Sequence, residues 1–549
     1  MKALTILNFL LVLSCIPAAA RVVRPRQAPV AAQNVTTITS PSGVTIRYKE
    51  PGKEGICETT PGVNSYSGYI DVAPDVHVFF YFFESKRDPA NDPVSYDFQK
   101  KVTLWLNGGP GSDSLIGLFE EIGPCEVVEN MTTVLRDYAW SEISNLLFLS
   151  QPVGTGFSYS EEEVGYLDPT YLIVDDTGGT DEKEGRWAVI DPTKEDNSPL
   201  AAMTAWELVQ GFYSALPQLN SEIESTDFHL WAESFGGHWG PAFFTYFHDQ
   251  NEMIDQNTTT GRKLNMKSLG IVNGIVDEPT QTEYLLRFTH ENTYGVKLIN
   301  DTIYDHGDWA LRRPGGCQEK LDYCAYLDRE SLTRRRYRDG EDVPPDFWRA
   351  YLNTAPIQNA LGVDLNYTSS NLIYNAFSLS GDFAAPYLPD LEKLLEWDVQ
   401  VSLVYGDADY ICNWLGGEAL SLAANWTGAD EFSTAGYTNL MVDGQAYGET
   451  RQYGKLSFTR VWDAGHEVPC KSLMHILHRS TSIQKAVRLT YHLRTVFQPA
   501  AAFQIFNRTS YGFDIATGEI PVSPNSTYAT NGTEKTTHTT TLPPLPSQT

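Results

Sequence analysis

The 549-residue chain is short of positive charge, with 40 lysines and arginines against 69 aspartates and glutamates and a formal net charge of −29. Such a surface disfavours nucleic acid and anionic membranes as partners, since both would be repelled. After the first 20 residues no stretch approaches eighteen apolar residues, which excludes an ordinary membrane-spanning helix from the mature chain. Cysteines number seven and histidines 11, and no Cys/His cluster has metal-ligand spacing, so neither a metal nor another cofactor is expected. The glycine-rich run Asn107-Gly108-Gly109-Pro110-Gly111 lacks the following Gly-Lys-Ser/Thr of a phosphate loop. The C-terminal end lacks the hydrophobic stretch of a GPI signal.

What is present begins with an address. Met1 to Ala20 carries Lys2, a mostly apolar stretch from Leu4 to Leu13 and the small run Ala18-Ala19-Ala20, the layout of a secretory signal peptide. Removal of that segment takes Cys15 and leaves six cysteines in an oxidising compartment. Sequons at Asn34, Asn130, Asn257, Asn300, Asn366, Asn425, Asn507, Asn525 and Asn531 predict a glycosylated surface. The expected location is extracellular, and the expected state is monomer or homodimer. Residues 21–40 read as an N-terminal arm or propeptide, and 516–549, rich in Thr, Pro, Ser and Asn, as a disordered tail.

Between these lies a single catalytic domain over 41–515. Val102-Thr103-Leu104-Trp105-Leu106 and Leu146-Leu147-Phe148-Leu149 are short apolar runs bounded by turn residues, which predicts buried central strands. Tyr66 to Glu84 reads as a strand pair, and Leu269 to Gly274 as another strand and loop. Ser198-Pro199 opens a helical pattern from Leu200 to about Leu216. Strands alternating with helices predict an α/β protein with a doubly wound, mostly parallel sheet.

Trp231-Ala232-Glu233-Ser234-Phe235-Gly236-Gly237 follows the apolar run Phe228-His229-Leu230 and places a serine among small residues at a strand-to-helix turn. That is the layout of a nucleophile elbow, although Ala232 stands at the usual first glycine. Val401 to Tyr405 runs into Gly406-Asp407-Ala408-Asp409, and Phe458 to Trp462 runs into Asp463-Ala464-Gly465-His466-Glu467. Serine, aspartate and histidine thus follow strands in the order an acyl-transferring hydrolase requires. A serine hydroxyl needs a histidine to take its proton, and the histidine needs a carboxylate to fix its tautomer. Ser234 is the expected nucleophile, His466 the general base and then acid, and Asp409 its partner, with Asp407 a turn residue at the strand end.

Five blocks resemble the serine carboxypeptidases, most closely the secreted fungal S1 type. They are Trp105 to Ser112, Gln151 to Tyr159, Glu233 to Gly237, Gly406 to Trp414 and Gly465 to Pro469. The similarity spans about residue 66 to about 497. It implies an α/β-hydrolase fold with an inserted helical cap, here at about 283–350, and an oxyanion hole from the backbone N–H groups of Gly109 and Phe235. It also implies a site for the substrate's terminal carboxylate at Asn107, Gly108, Glu121 and Glu233, and a substrate pocket including the free thiol of Cys412 and Glu467. Two neighbouring glutamic acids cannot both ionise cheaply, so one should keep its proton to raised pH and donate to the substrate. Glu467 should raise the pKa of His466 and favour a basic residue near the scissile bond.

The resemblance implies removal of C-terminal amino acids from peptides and proteins, favoured at acid pH. An acyltransferase on the same scaffold and an inactive peptide-binding glycoprotein share these motifs, and the intact Ser234, Asp409 and His466 argue against the latter. Cys317 and Cys324, close together in a loop-like stretch, are expected to pair, as are Cys57 and Cys125. Cys470 is either a free thiol or the partner of Cys412. The family disulfide to the cap is expected to be absent because Ser112 stands where the family often has cysteine.

Overall fold

A computed structural model describes residues 30–86, 101–167, 173–174, 184–191, 194–221, 223, 226–328, 347–369, 371–470, 498–523 and 525–540. The leader and the start of the arm lie outside the described residues, as do 329–346 within the expected cap. In chain order the strands are β1 (Thr36–Thr39), β2 (Thr45–Lys49), β3 (Ser65–Ala73), β4 (Val76–Phe83) and β5 (Val102–Leu106). A hairpin of β6 (Cys125–Val127) and β7 (Thr133–Leu135) precedes β8 (Asn145–Leu149), and β9 (Glu161–Leu167), β10 (Ile173–Val174) and β11 (Glu184–Val189) form a separate sheet. Then come β12 (Asp227–Glu233), β13 (Asn265–Val272), β14 (Gln400–Gly406), β15 (Thr438–Val442), β16 (Gln445–Tyr453) and β17 (Leu456–Val461).

The main sheet has twelve strands in the order β1-β2-β3-β4-β8-β5-β12-β13-β14-β17-β16-β15. From β8 to β17 every neighbouring pair is parallel, and the flanking pairs are antiparallel. Successive side chains leave a strand on opposite faces. Val102, Leu104 and Leu106 therefore join Leu230, Ala232, Val401 and Leu403 in one core, while Trp105, Trp231 and Val404 belong to the other. Helices α1 (Ser198–Leu219) and α2 (Gly236–Asp255) cover the first face, and the helix Pro499–Tyr511 lies on the second. There Trp140 stacks on Phe506 with centroids 4.1 Å apart and meets Trp105 and Trp231 edge-on. This is the α/β-hydrolase arrangement, with both faces of a largely parallel sheet buried as the apolar strand sequences require. The cap of α1 is Asn197, whose side chain accepts from Leu200 N at 3.0 Å, rather than Ser198.

Between β13 and β14 the chain is helical. It contains α3 (Glu278–Phe288), α4 (Asp301–Arg312) and α5 (Cys317–Asp328), and after the undescribed residues it resumes with Phe347–Leu352, Ala355–Leu361, Asn371–Ser380 and Leu388–Glu396. Cys57 and Cys125 form a disulfide. The expected Cys317–Cys324 bridge is not formed. Cys317 is free and exposed at the start of α5, and that helix continues through 324. Seven residues of helix separate the two backbones by about 10 Å, beyond disulfide reach. Cys412 and Cys470 are both free and buried, which removes the alternative that they pair.

The reading of 516–549 as a disordered tail is corrected for 516–523 and 525–540. Thr533 and Tyr437 exchange backbone hydrogen bonds of 2.7 and 3.0 Å, Thr530 N donates to Gln452 O at 2.9 Å, and Gly454 N donates to Tyr528 O at 2.8 Å. The polar composition cannot build a core of its own, but it can satisfy the peptide groups at the exposed rim of a sheet. Residues 541–549 lie outside the described residues.

Three buried carboxyls outside the catalytic region make stability depend on pH. Burial raises Asp113 and Asp382 to about 6 and Glu195 to about 7, against the hydrogen bonds each accepts from Ser150, from Ser198 and Tyr387, and from Val153 N. A carboxyl whose folded pKa is raised contributes stability that is complete below its unfolded value near 4 and is lost as pH rises through 6 to 7. Each unit amounts to about 1.4 kcal/mol. Thermal unfolding is therefore expected several degrees higher at pH 5 than at pH 7.5. A melting temperature that rises over this interval would contradict the assignment.

Candidate active site

Parallel strands end on the same edge of a sheet, so the residues just beyond β5, β12, β13, β14 and β17 gather along one crevice. Those residues are Asn107, Ser234, Asn273, Asp409 and His466. Ser234 occupies the left-handed region at φ 59°, between β12 and α2, and is partly exposed among buried neighbours. This strained elbow is held by Ser234 N donating to Val272 O at 3.1 Å and by Ile275 N and Gly237 N donating to Ser234 O at 3.0 Å. Ala232 fits at the usual glycine position because Gly236 has no side chain. A Cβ there would lie 2.5 Å from that of Ala232. A Cβ on Gly108 would lie 2.4 Å from Phe235 N and 2.7 Å from Ser234 Cβ, so only glycine lets the loop carrying Gly108 and Gly109 press against the elbow.

Asp409 is buried and its Oδ2 lies 2.6 Å from His466 Nδ1. The same oxygen accepts from Asn273 Nδ2 at 2.7 Å, and Oδ1 accepts from Ile411 N at 3.0 Å. Burial would raise Asp409, but the charge and hydrogen bonds of His466 and Asn273 win, and its pKa is lowered. Burial would likewise lower His466, yet the charge of Asp409 and its hydrogen bond hold the imidazole well above the ordinary histidine range. Cys412 Sγ, the imidazole and the Asp409 carboxylate have atoms within 4.8 Å of one another. Burial raises that thiol against the opposing pull of His466.

Asn107 organises the acidic part of the cleft. Its Oδ1 accepts from Trp105 Nε1 and Gly117 N, both at 2.8 Å, which forces its amide hydrogens toward Glu121 Oε1 at 2.8 Å and Glu233 Oε1 at 3.2 Å. The second oxygen of each glutamate meets no fixed donor. Burial raises the pKa of both, and the charge of Glu121 adds to the rise of Glu233, so the pair holds one shared proton above the ordinary carboxylate range. The charge of His466 acts on both carboxyls in the opposite sense, so the two pairs lie within electrostatic reach of each other.

Glu121 ends a π-helical turn, Gly117–Glu121, a distortion frequent at functional sites. The turn is anchored by the buried Arg136, which donates to the carbonyls of Phe119, Glu120, Gly123 and Cys125. Glu467 is raised to about 8 by burial and by the charges of Glu121 and Glu120. It is therefore neutral in acid and largely neutral at pH 7, so any preference its charge creates for a basic substrate residue belongs above about pH 8. Cys470 adjoins it, its thiol raised by burial and by the charge of Glu467. Asp407 is fully buried and pairs with Arg460 at 3.2 Å, away from the imidazole hydrogen bond.

Three residues here were not singled out from the sequence. Asn273 follows a buried central strand, and that position alone was a usable signal. Its side chain accepts from Gly406 N at 3.0 Å, which turns the amide nitrogen toward Asp409. Nothing in the local sequence of Arg136 or Arg460 announces a role, because each acts across the fold.

The family model described as serine carboxypeptidase matches residues 51–339 and 324–480. Carboxypeptidase S1 homolog A of Arthroderma otae is 34% identical over 95% of this chain and 85% of its own length. Carboxypeptidase S1 of Penicillium janthinellum is 31% identical over 76% of this chain and 93% of its own. The crystal structure of KEX1(DELTA)P, a prohormone-processing carboxypeptidase from Saccharomyces cerevisiae, superposes with a TM-score of 0.59 at 21% identity, covering 79% of this chain and 93% of that one. An elbow serine on a twelve-stranded α/β-hydrolase sheet, together with family similarity across most of its length, makes this chain a member of the serine carboxypeptidase family.

Proposed function

We propose that the protein is a secreted enzyme that removes amino acids from the C-termini of peptides through an acyl-enzyme on Ser234. The observation that carries this reading is the Asn107-bridged pair Glu121 and Glu233, with Glu233 directly before the elbow serine and both carboxyls within electrostatic reach of His466. In the proposed mechanism His466 Nε2 takes the Ser234 proton, and Asp409 stabilises the imidazolium that results. The backbone N–H groups of Gly109 and Phe235 receive the oxyanion. The protonated glutamate, oriented by the Asn107 amide, receives the terminal carboxylate, so the bond attacked is the last one. His466 then delivers its proton to the leaving amine, and water repeats the sequence on the ester.

Donation by a protonated glutamate supports binding in acid. Secretion is supported by the leader and by the Cys57–Cys125 disulfide. The sequon asparagines at 34, 130, 257, 300, 425, 525 and 531 are exposed, which suits glycans. Asn366 and Asn507 are half-buried, and Asn366 Nδ2 is already engaged with Asn353 Oδ1 at 3.3 Å. The test is an N-blocked dipeptide and its C-terminal amide. Release of the last amino acid from the free acid, with far slower attack on the amide, is expected, together with fluorophosphonate labelling of Ser234. Equal rates on both would remove the carboxypeptidase reading, acyl transfer to an added alcohol in preference to water would favour a transferase, and absence of labelling would favour a binding protein.

A further inference from the structure

The last described stretch of the chain, 525–540, runs along the end of the main sheet and finishes beside the two loops that bear Asp409 and His466. Arg460, near the end of β17, is the junction. Its guanidinium is almost wholly buried, lying 4.1 Å from the centroid of Trp414, and its hydrogen bonds reach four separate places. Nη2 donates to Asp407 Oδ2 at 3.2 Å, to Thr293 Oγ1 at 2.9 Å and to His538 O at 2.9 Å, while Nη1 donates to Thr536 Oγ1 at 2.7 Å.

Asp407, Thr293 and His538 are tied in turn to the catalytic loops, Thr293 by donating from Oγ1 to Asp407 O at 3.3 Å. Asp407 Oδ1 accepts from Asp463 N at 2.7 Å, Asp407 N donates to Val461 O at 3.0 Å, and Ala408 N donates to Ala464 O at 2.8 Å. The aspartate loop and the histidine loop are therefore cross-linked through Asp407, two residues before Asp409, and Asp463, three residues before His466. The strap closes over this joint. Thr540 N donates to Thr293 O at 3.0 Å, Thr540 Oγ1 to Asp463 Oδ1 at 3.4 Å, and the His538 ring stacks on Trp462 at 4.3 Å. Asp463 itself sits in the left-handed region at φ 52°, a conformation that surrounding contacts must hold.

We infer that Arg460 is a positioning residue for the Asp409–His466 pair and that residues 525–540 complete its grip by supplying two of its acceptors. Among the described residues none of the strap's hydrogen bonds goes to Ser234, Glu121 or Glu233, so its effect falls on proton transfer rather than on substrate binding. The inference rests on the Ser234, Asp409 and His466 assignment made above.

The test uses the full-length enzyme, a chain ending at residue 524, the double variant Thr536→Val/Thr540→Val, and Arg460→Lys beside Arg460→Gln. Three quantities are read well below each protein's melting temperature: kcat and KM on the blocked dipeptide, the rate of fluorophosphonate labelling, and the low-field proton resonance of the His466–Asp409 hydrogen bond. Shortening the chain is expected to lower kcat and the labelling rate about tenfold or more with KM changed less than about threefold, and to shift or broaden the resonance. The double threonine variant shows the same effect in smaller degree, which keeps the test open if the shortened chain does not fold. Arg460→Lys retains more rate than Arg460→Gln. A folded strap-free protein with a lower melting temperature but unchanged labelling, kcat and resonance overturns the inference and leaves the strap a stabilising brace. A full-length protein without peptidase activity whose resonance still responds to the strap overturns the functional reading and upholds the positioning.

Discussion

Ser234→Ala is expected to lower kcat on a blocked dipeptide by a factor on the order of 10⁶, and His466→Ala by a similar factor. The double variant should be no slower than either single one, because the two groups act as a unit and what remains comes from the oxyanion donors and binding. Asp409→Asn should cost about 10⁴, and the reason is legible atom by atom. Oδ2 accepts from both His466 and Asn273, while Oδ1 accepts from Ile411 N. An amide at 409 must point its NH2 group either at Ile411 N–H or at the other two donors. One arrangement sets donor against donor in the loop, and the other turns the imidazole to the wrong tautomer. Steady-state kinetics beside thermal melts check this, since the loss should appear in folded protein. Retention of more than a few per cent of kcat by Ser234→Ala would end the acyl-enzyme proposal.

The strands that hold these residues could be read from sequence because they are short, apolar and buried on both faces. Val102–Leu106 and Leu146–Leu149 needed no partner to be identified, and the apolar run ahead of Ser234 continued into a visible turn. The order serine, aspartate, histidine then placed each on a strand end, and a parallel sheet does the gathering. The misreadings have one cause. Cys317 and Cys324 looked like a loop pair because the polar pattern of α5 gave little helical signal, and helix geometry then held them apart. The stretch 516–540 looked structureless because it has almost nothing to bury. Its order comes from peptide groups supplied by β16 and by Tyr437, roughly 80 to 100 residues earlier in the chain, and composition cannot register that.

Within the candidate site, the side chains proposed to do the chemistry could be named from the sequence and those that aim them could not. Asn107 and Glu121 lie fourteen positions apart near the glycine-rich loop, and the resemblance to the family is what assigned them. Asn273 lies 136 residues from the carboxylate it orients. Arg136 and Arg460 act through backbone carbonyls and hydroxyls that carry no residue-specific mark. A local motif records the requirement for a nucleophile. The demand for a rigid neighbour can be met by any donor the fold brings near.

Glu233→Gln should change how binding responds to pH more than it changes catalysis. In the native cleft the Asn107 amide is locked with both hydrogens toward the glutamates, and one further proton is shared by the pair. Burial and the repulsion between the two carboxylates keep that proton on the pair above the ordinary carboxylate range. While it stays, an incoming carboxylate meets a donor. As pH rises through the pair's upper titration both glutamates become anionic, the donor is lost and the substrate is repelled, so KM for a free-acid peptide climbs. Glutamine keeps an N–H donor at every pH but forfeits the strong bond between an acid and a carboxylate. The substitution should therefore raise KM about 10- to 100-fold in acid and much less near neutrality, flattening the profile. A C-terminally amidated peptide, carrying no terminal charge, should show little of either effect. The acid fall in kcat, set by protonation of His466 in the complex, should persist in the variant because Asp409 is untouched. An unaltered dependence of KM on pH in Glu233→Gln would show that the pair does not hold the peptide's terminus.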